Sequence, residues 1–429
     1  MEPAKFSIIA ATCHGNRGAQ AMLETVVGYL SDARPDLRFH VFSYYPRQDR
    51  RLIADPRVRV HSSTPLALVA WLLPWAFVFG VLRLLLGRRV LRLAPAAIRA
   101  LGESRALIDL AGVAFIDGRE KFLPFNILTV LPAWLLGTDV VKMSQAIGPF
   151  TRRLNRFAAR VTLPMCRMVW ARGGRTHDHL VEAGFPRVRF AQADDIAFNY
   201  QERWSLTDEK GAPLETLLER LGGLRGTGAT AGIIGICPSS VVAVQSRKRG
   251  GSYEVVLADL VRNLLADGFV VVLFPNATRA EAGEMERNND IPLIRRVQAA
   301  CGRSDPGRLP LAVDFDVNAA GIKRVIGCTD IVLVSRFHAM VGALSLGVPA
   351  VVLGWSHKYV EVMARFGLEN CVMDYQELDA AQLQLAVKTV FGRRQLVRET
   401  ILQGLPEVQA SARRPVEALL SPSLGVEFA

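Results

Sequence analysis

Short apolar runs ending in glycine or small-residue turns alternate with helical stretches along this chain, and the alternation stops once and then restarts. In the first half the runs are Phe6–Ala11, Arg38–Phe42, Ala106–Leu110, Val140–Ser144, "MVWARG" and "VRFAQADDIAF". Residues 201–230 lose the pattern and carry charges and a Gly/Thr-rich stretch. "AGIIGICPSS", "FVVVLFPN", "DIVLVSRFHA" and "VPAVVLGW" then resume it. Runs apolar on both faces, separated by helices, specify parallel sheets covered on both sides. Right-handed crossovers leave few ways to connect them. The expected fold is α/β, with two Rossmann-like doubly wound domains facing across a cleft. The expected boundaries are 1–205, a linker at 206–230, and 231–429 ending in helices.

One segment resists this scheme. "LALVAWLLPWAFVFGVLRLLL", within 65–93, is almost long enough to cross a bilayer, and Arg83, Arg88, Arg89, Arg92 and Arg99 sit in it or follow it. Three placements fit the composition: an interfacial hairpin, a buried core helix and a membrane span. Strand-like runs lie on both sides. If they share one sheet, the chain cannot cross a membrane between them. The arginines suit anionic headgroups, so peripheral contact with the inner face of a membrane is expected.

The formal net charge is +12, which favours anionic partners. No zinc-finger, helix-turn-helix or RNA-binding signature accompanies it, so nucleic acid is not an expected partner. The six cysteines, at 13, 166, 237, 301, 328 and 371, show no CxxC spacing, so neither a disulfide framework nor a zinc site is expected. The opening stretch has no secretory signal pattern, and the expected compartment is the cytoplasm.

The sharpest cluster is "VSRFHAMVGALSLGVPAVVLGWSHKYVEVM". Arg336 and His338 fall where a strand gives way to a helix. A guanidinium there can fork onto a phosphate or carboxylate, and an imidazole can transfer a proton near neutral pH. Lys358 leaves the next strand end and adds a second cation. Strand-end caps and salt bridges are the plainer role for such residues. In "CHGNRGAQAM", Gly15 and Gly18 permit tight turning, and the amides around Asn16 and Arg17 can face an anion or a sugar hydroxyl. Gln145 in "SQAIGPF" is either a sugar ligand or part of a plain strand-to-turn exit. Asp195 in "ADDIAF" is either a base for a hydroxyl or a helix cap. No Walker loop, HExxH, Ser-His-Asp order or full GxGxxG fingerprint occurs, which argues against a nicotinamide dehydrogenase.

In order along the chain, "GNRGAQAM", "DLAGVAFID", "SQAIGPF", "WARGGRTHDHLVEAG", "DDIAF" and "SRFHAMVGALSLGVPAVVLGWSHK" resemble the motifs of the polysaccharide pyruvyl transferase family. The resemblance spans about residues 7–370 and implies a GT-B-like fold. It also implies phosphoenolpyruvate as co-substrate, a glycan acceptor, and a pyruvyl ketal as product, with no cofactor or metal needed; the apolar segment is what suggests a lipid-linked acceptor. It assigns Arg336, Lys358 and Ser335 to the donor, His338 to proton transfer and Asp195 to hydroxyl activation. Asn16, Arg17, Gln145 and Arg172 fall on the acceptor side. Two other functions share the architecture or the apolar segment. One is a nucleotide-sugar glycosyltransferase or epimerase with Glu361 gripping a ribose. The other is a non-catalytic scaffold at a membrane surface.

Overall fold

The computed structural model describes residues 4–205, 208–226, 230–279, 288–304, 309–354, 357–377 and 379–421. The chain forms two compact units. The first comprises Met1–His14, Met22–Trp204 and Gln409–Ala429, and the second Gly15–Ala21 and Ser205–Val408. Gly15–Ala21, expected in the first domain, therefore groups with the second, and the C-terminal stretch groups with the first. Within the expected 206–230 linker a helix covers Asp208–Gly226, while 206–207 and 227–229 lie outside the described residues. Trp355 and Ser356 of the last sequence motif also lie outside them.

The first unit is built on a parallel sheet. Its strands are β1 (Lys5–Ile9), β2 (Arg38–Ser43), β3 (Val58–Ser62), β4 (Ala106–Asp109), β5 (Val113–Ala114), β6 (Asp139–Ile147), β7 (Met168–Arg172) and β8 (Phe190–Ala193). The spatial order is β3-β2-β1-β4-β6-β7-β8, with β5 beside β6. The order reverses between β1 and β4, where Phe6 stands opposite Ala106 and Ile9 opposite Asp109. Strand β4 is buried along its whole length, as its continuous apolar run requires. Strand β3 is an edge, and its sequence "VRVHS" alternates polar with apolar residues, so it leaves no such run to read.

The apolar segment forms one helix over Pro65–Leu86, with a π-helical turn at Leu68–Leu72. At 1.5 Å per residue it is about 33 Å long. Leu68, Leu72, Ala76 and Phe79 belong to the hydrophobic core, and Gly80 packs against the Leu135 carbonyl, where a Cβ would come within 2.6 Å. The spacing of these residues keeps one helical face on the sheet for the length of the helix. Because β1 pairs with both β2 and β4, the strands before and after this helix share one sheet. The helix is thus the crossover from β3 to β4 and not a span. The buried-core reading holds only for its inner face, since 28% of its most apolar window is buried.

The second unit carries β9 (Ile233–Cys237), β10 (Val270–Leu273), β11 (Leu311–Ala312), β12 (Ile331–Val334), β13 (Ala350–Gly354) and β14 (Val372–Asp374), ordered β11-β10-β9-β12-β13-β14. All pairings are parallel, and the reversal falls between β9 and β12, where Cys237 stands opposite Val334. Each fully buried Val, Leu or Ile in these strands contributes roughly 1.5–3 kcal/mol. Gly235 in β9 has Phe274, Thr329 and Val332 side chains 3.0 Å from where a Cβ would sit, so glycine there allows close sheet packing. Helices at Ser240–Lys248 and Ile291–Ser304 were not evident in the sequence. The helix that follows β12 covers Phe337–Leu344.

Candidate active site in the second unit

In an open parallel sheet, ligands bind beyond the carboxyl ends of the strands where the strand order reverses. In the second unit that point lies past Cys237 and Val334, and the chain places Ser239, Ser240, Ser335 and Arg336 there. Ser239 caps the Ser240–Lys248 helix, its hydroxyl accepting from the Val242 amide at 3.4 Å. Arg336 occupies the cap position of the Phe337–Leu344 helix in extended conformation, which carries its side chain off the end of β12.

Asp290 holds that guanidinium. Arg336 Nε donates to Asp290 Oδ2 at 3.0 Å and Oδ1 at 3.2 Å, Nη2 also donates to Asp290, and Nη2 reaches Ser240 Oγ at 3.0 Å. The Asp290 side chain is fully buried and also accepts from the amides of Ser240 (2.9 Å), Asn276 (3.2 Å) and Ala277 (2.9 Å). Burial works against the charged guanidinium, but the charge and hydrogen bonds of Asp290 outweigh it and hold the Arg336 pKa above its ordinary value. Among the described residues none accepts from Arg336 Nη1. Nothing in the sequence marked Asp290: it lies in a polar stretch far from Arg336, and only tertiary structure joins them.

His338 is half-buried, and its ring meets Phe337 edge-on at 5.2 Å. Gly18 packs directly on it: a Cβ there would fall 2.0 Å from Nδ1. Lys358 places its ammonium 4.8 Å from the centroid of the Phe337 ring. Lys358 and His338 thus both lie against the Phe337 ring, while the guanidinium of the preceding residue, Arg336, is held by Asp290. Ser335, expected as a donor ligand, is buried. Its hydroxyl pairs with the Tyr253 hydroxyl at 2.8 Å and its carbonyl accepts from Tyr359 at 3.2 Å, so it braces the turn from beneath. Burial pushes the Tyr253 phenol well up, which keeps it a neutral partner. Glu361 lies 3.7 Å from His357 Nε2.

The residues expected on the acceptor side are used structurally. Asn16 caps the Arg17–Ala33 helix: its Oδ1 accepts from the amides of Gly18 (3.1 Å) and Ala19 (3.2 Å), and its carbonyl accepts from Gln20 (3.0 Å). The Arg17 amide donates to the Asn276 carbonyl at 3.2 Å, so all four first-turn amides are engaged within the unit and do not form an anion cradle. The Arg17 side chain is buried against Thr278, Gln20 and Asp316. Gln145, in the first unit, is fully buried. It donates to the Asp109 carbonyl at 2.8 Å beside the buried Lys142–Asp109 ion pair of 2.6 Å, so its amide faces the interior and not a sugar. Arg172 and Asp195 pair at 2.7 Å, both buried. Arg172 also donates to the Gly112 carbonyl at 2.7 Å, and Asp195 Oδ1 accepts from the Ala197 amide at 3.0 Å. With both Asp195 oxygens engaged, the capping role expected as one of two alternatives is the one the structure shows. Among the described residues no group of three or more His, Cys, Asp or Glu is placed to hold a metal ion.

Two parallel-sheet α/β units, each with its own strand-order reversal, make a GT-B-like fold. Structures sharing the fold include a candidate UDP-N-acetylglucosamine 2-epimerase from Listeria monocytogenes (12% identity, TM-score 0.59, covering 97% of this chain and 95% of that one). A UDP-GlcNAc 2-epimerase from Neisseria meningitidis bound to UDP-GlcNAc matches at 11% identity and TM-score 0.56 (97% and 99% covered). A sucrose-phosphate synthase from Thermosynechococcus elongatus matches at 10% identity and TM-score 0.54 (95% and 94%). Curated protein sequences give no match. The family model for polysaccharide pyruvyl transferase matches residues 16–357, and the chain belongs to that family.

Proposed function

We propose that the protein transfers the enolpyruvyl group of phosphoenolpyruvate to two hydroxyls of a glycan, forming a pyruvyl ketal and releasing phosphate. The observation that carries this reading is the arginine fixed by a buried carboxylate at the second unit's strand-order reversal, followed in the chain by a phenylalanine whose ring meets both an imidazole and an ammonium. Phosphoenolpyruvate carries about three negative charges near neutral pH, by analogy with phosphate esters. Arg336 Nη1, which no described residue engages, and Lys358 are the donor edges assigned to its phosphate and carboxylate.

In the proposed reaction His338 delivers a proton to the methylene carbon, which becomes a methyl group and leaves C2 electrophilic. One sugar hydroxyl bonds to C2 and gives up its proton. The C2–O bond to phosphate breaks, and the phosphate leaves with the bonding electrons. A second hydroxyl then closes the ketal at C2 and gives up its proton. The two hydroxyl protons balance the one added to carbon and the one taken up by phosphate. Cationic groups around the departing phosphate lower the barrier because charge develops there. The first unit supplies no base in this scheme, since Asp195 is committed to Arg172.

The test is phosphate release from phosphoenolpyruvate in the presence of candidate glycans, free and lipid-linked, with mass analysis of the product. A glycan gaining one pyruvyl ketal supports the reading. A rise in melting temperature with a UDP-sugar, and none with phosphoenolpyruvate, overturns it in favour of nucleotide-sugar chemistry.

A further inference from the structure

The outward face of the Pro65–Leu86 helix lacks the polar residues that a surface helix normally presents to water. Leu66, Phe77, Leu84, Leu85 and Leu86 are 77%, 60%, 76%, 74% and 68% exposed, and Arg83 is the helix's one charged residue. The Arg153–Thr162 helix packs into the same core cluster, which places it on the same side of the sheet. It too turns apolar residues outward: Leu154, Phe157 and Val161 are exposed, and their spacing of three and four puts them on one face. Arg153, Arg156 and Arg160 are exposed alongside them.

Two grooves extend this surface at the amino ends of the strands. One, of about 710 Å³, is walled by Phe77, Leu84 and Trp134 on its apolar side and by Arg83, Arg167 and Arg189 on the other. The Arg83 guanidinium lies over Gly137, and its buried Nε meets no hydrogen-bond partner among the described residues. The second groove shares Gly137, Thr138 and Asp139 with the first and adds Arg88, Arg89, Arg92 and Arg105. Its carboxylates are Asp139 and Glu103, and Glu103 is already paired with Lys5 at 2.8 Å. A partner for this surface must be apolar over a broad area and anionic where the arginines stand. Exposed Trp71 and Trp134 add the amphipathic rings that favour a boundary between oil and water.

We propose that this face of the first unit docks on an anionic lipid bilayer. The Pro65–Leu86 helix lies in the plane of the interface, and acidic phospholipid headgroups enter the arginine-lined grooves. The helix stays part of its domain's core, so the attachment is peripheral and reversible. This proposal does not depend on the pyruvyl reaction.

The test is flotation of the full chain with vesicles of phosphatidylcholine alone and of phosphatidylcholine with phosphatidylglycerol. Wild-type protein is expected to float with the anionic vesicles and to dissociate as salt rises. Brominated lipid is expected to quench tryptophan fluorescence in the bound protein. Arg88→Glu, Arg89→Glu and Arg92→Glu together are expected to weaken binding about a hundredfold or more. Leu84→Glu with Leu85→Glu should abolish it, with the melting temperature unchanged because both side chains are already exposed. Wild-type protein that ignores anionic vesicles overturns the proposal. So does a wild-type dimer that the Leu84→Glu, Leu85→Glu variant splits into monomers, since the face would then belong to a second copy of the chain. Neither measurement reads turnover, so its failure is distinct from failure of the proposed chemistry.

Discussion

Arg336 and Asp290 form a two-pronged ion pair in which Nε lies 3.0 Å from Oδ2 and the carboxylate is fully buried. The pair fixes a guanidinium that its own flexible stem cannot fix. Arg336→Lys keeps the charge but loses the fork, and phosphoenolpyruvate turnover is expected to fall by about 10²–10³. Asp290→Asn removes the charge that compensates Arg336 and is expected to cost about 3 kcal/mol of stability. Chemical denaturation of the two variants beside phosphate-release kinetics separates the effects. Arg336→Lys should act mainly on turnover, and Asp290→Asn on both.

Gly18 is the contact surface for His338. A methyl group there would fall 2.0 Å from Nδ1 and 2.7 Å from the His338 Cβ, so rotating the imidazole does not clear it and one of the two helix starts must shift. In a helix, alanine is otherwise favoured over glycine by up to about 1 kcal/mol. Against that gain, the overlap with the His338 Cβ makes Gly18→Ala a net loss of about 1–3 kcal/mol, read as a lower melting temperature. A displacement of about 1 Å in a reacting group can cost 10²-fold in rate, and turnover is expected to fall by about that much. Full turnover in Gly18→Ala would remove His338 from the reaction.

Much of this architecture was legible because strands buried on both faces must be apolar throughout. "IVLV" and "AVVLG" admit few other readings, and the parallel sheets follow from them. Arg336, His338 and Lys358 were legible for the same reason: each sits just past such a strand, where a side chain leaves the core. Edge strand β3 was missed because half of it faces away from the core. Asp290 and Asp316 were missed because a carboxylate that matches a distant arginine leaves no local pattern. Asn16, Gln145 and Asp195 were read as ligand groups because their residue types suit sugars equally well. Only the structure shows that backbone amides, a backbone carbonyl and Arg172 have already claimed them.

The Arg172–Asp195 pair gives a test of that reassignment. Both groups are buried, and each also bonds to backbone, so removing either takes the opposite charge away from a buried ion. Asp195→Ala and Arg172→Ala are each expected to cost about 3–5 kcal/mol in chemical denaturation. The double variant should cost less than their sum, because each single variant already loses the interaction between the two. An Asp195→Asn protein with wild-type stability and no turnover would restore the aspartate to a catalytic role.

His40 on β2 and His61 on β3 share a hydrogen bond between Nδ1 and Nε2 of 3.0 Å, and the His61 ring stacks on Phe42. Burial pushes both pKa values down to about 4. For His40 the nearby His61, Lys5 and Arg59 add to this, and for His61 Arg50 and Arg59 do. The unfolded value is near 6.5, so between these limits the unfolded chain binds more protons than the folded one. The pair's contribution to stability is thus complete above about pH 6.5 and is lost progressively as the pH falls to about 4. The melting temperature is expected to decline across that window. His61→Phe should flatten the decline, since it removes one titrating ring and relieves the other of a neighbouring charge. Melting curves from pH 7 to 4, with histidine resonances followed by NMR, check both statements. Titration of the His40 and His61 rings near 6.5 in the folded protein would refute them.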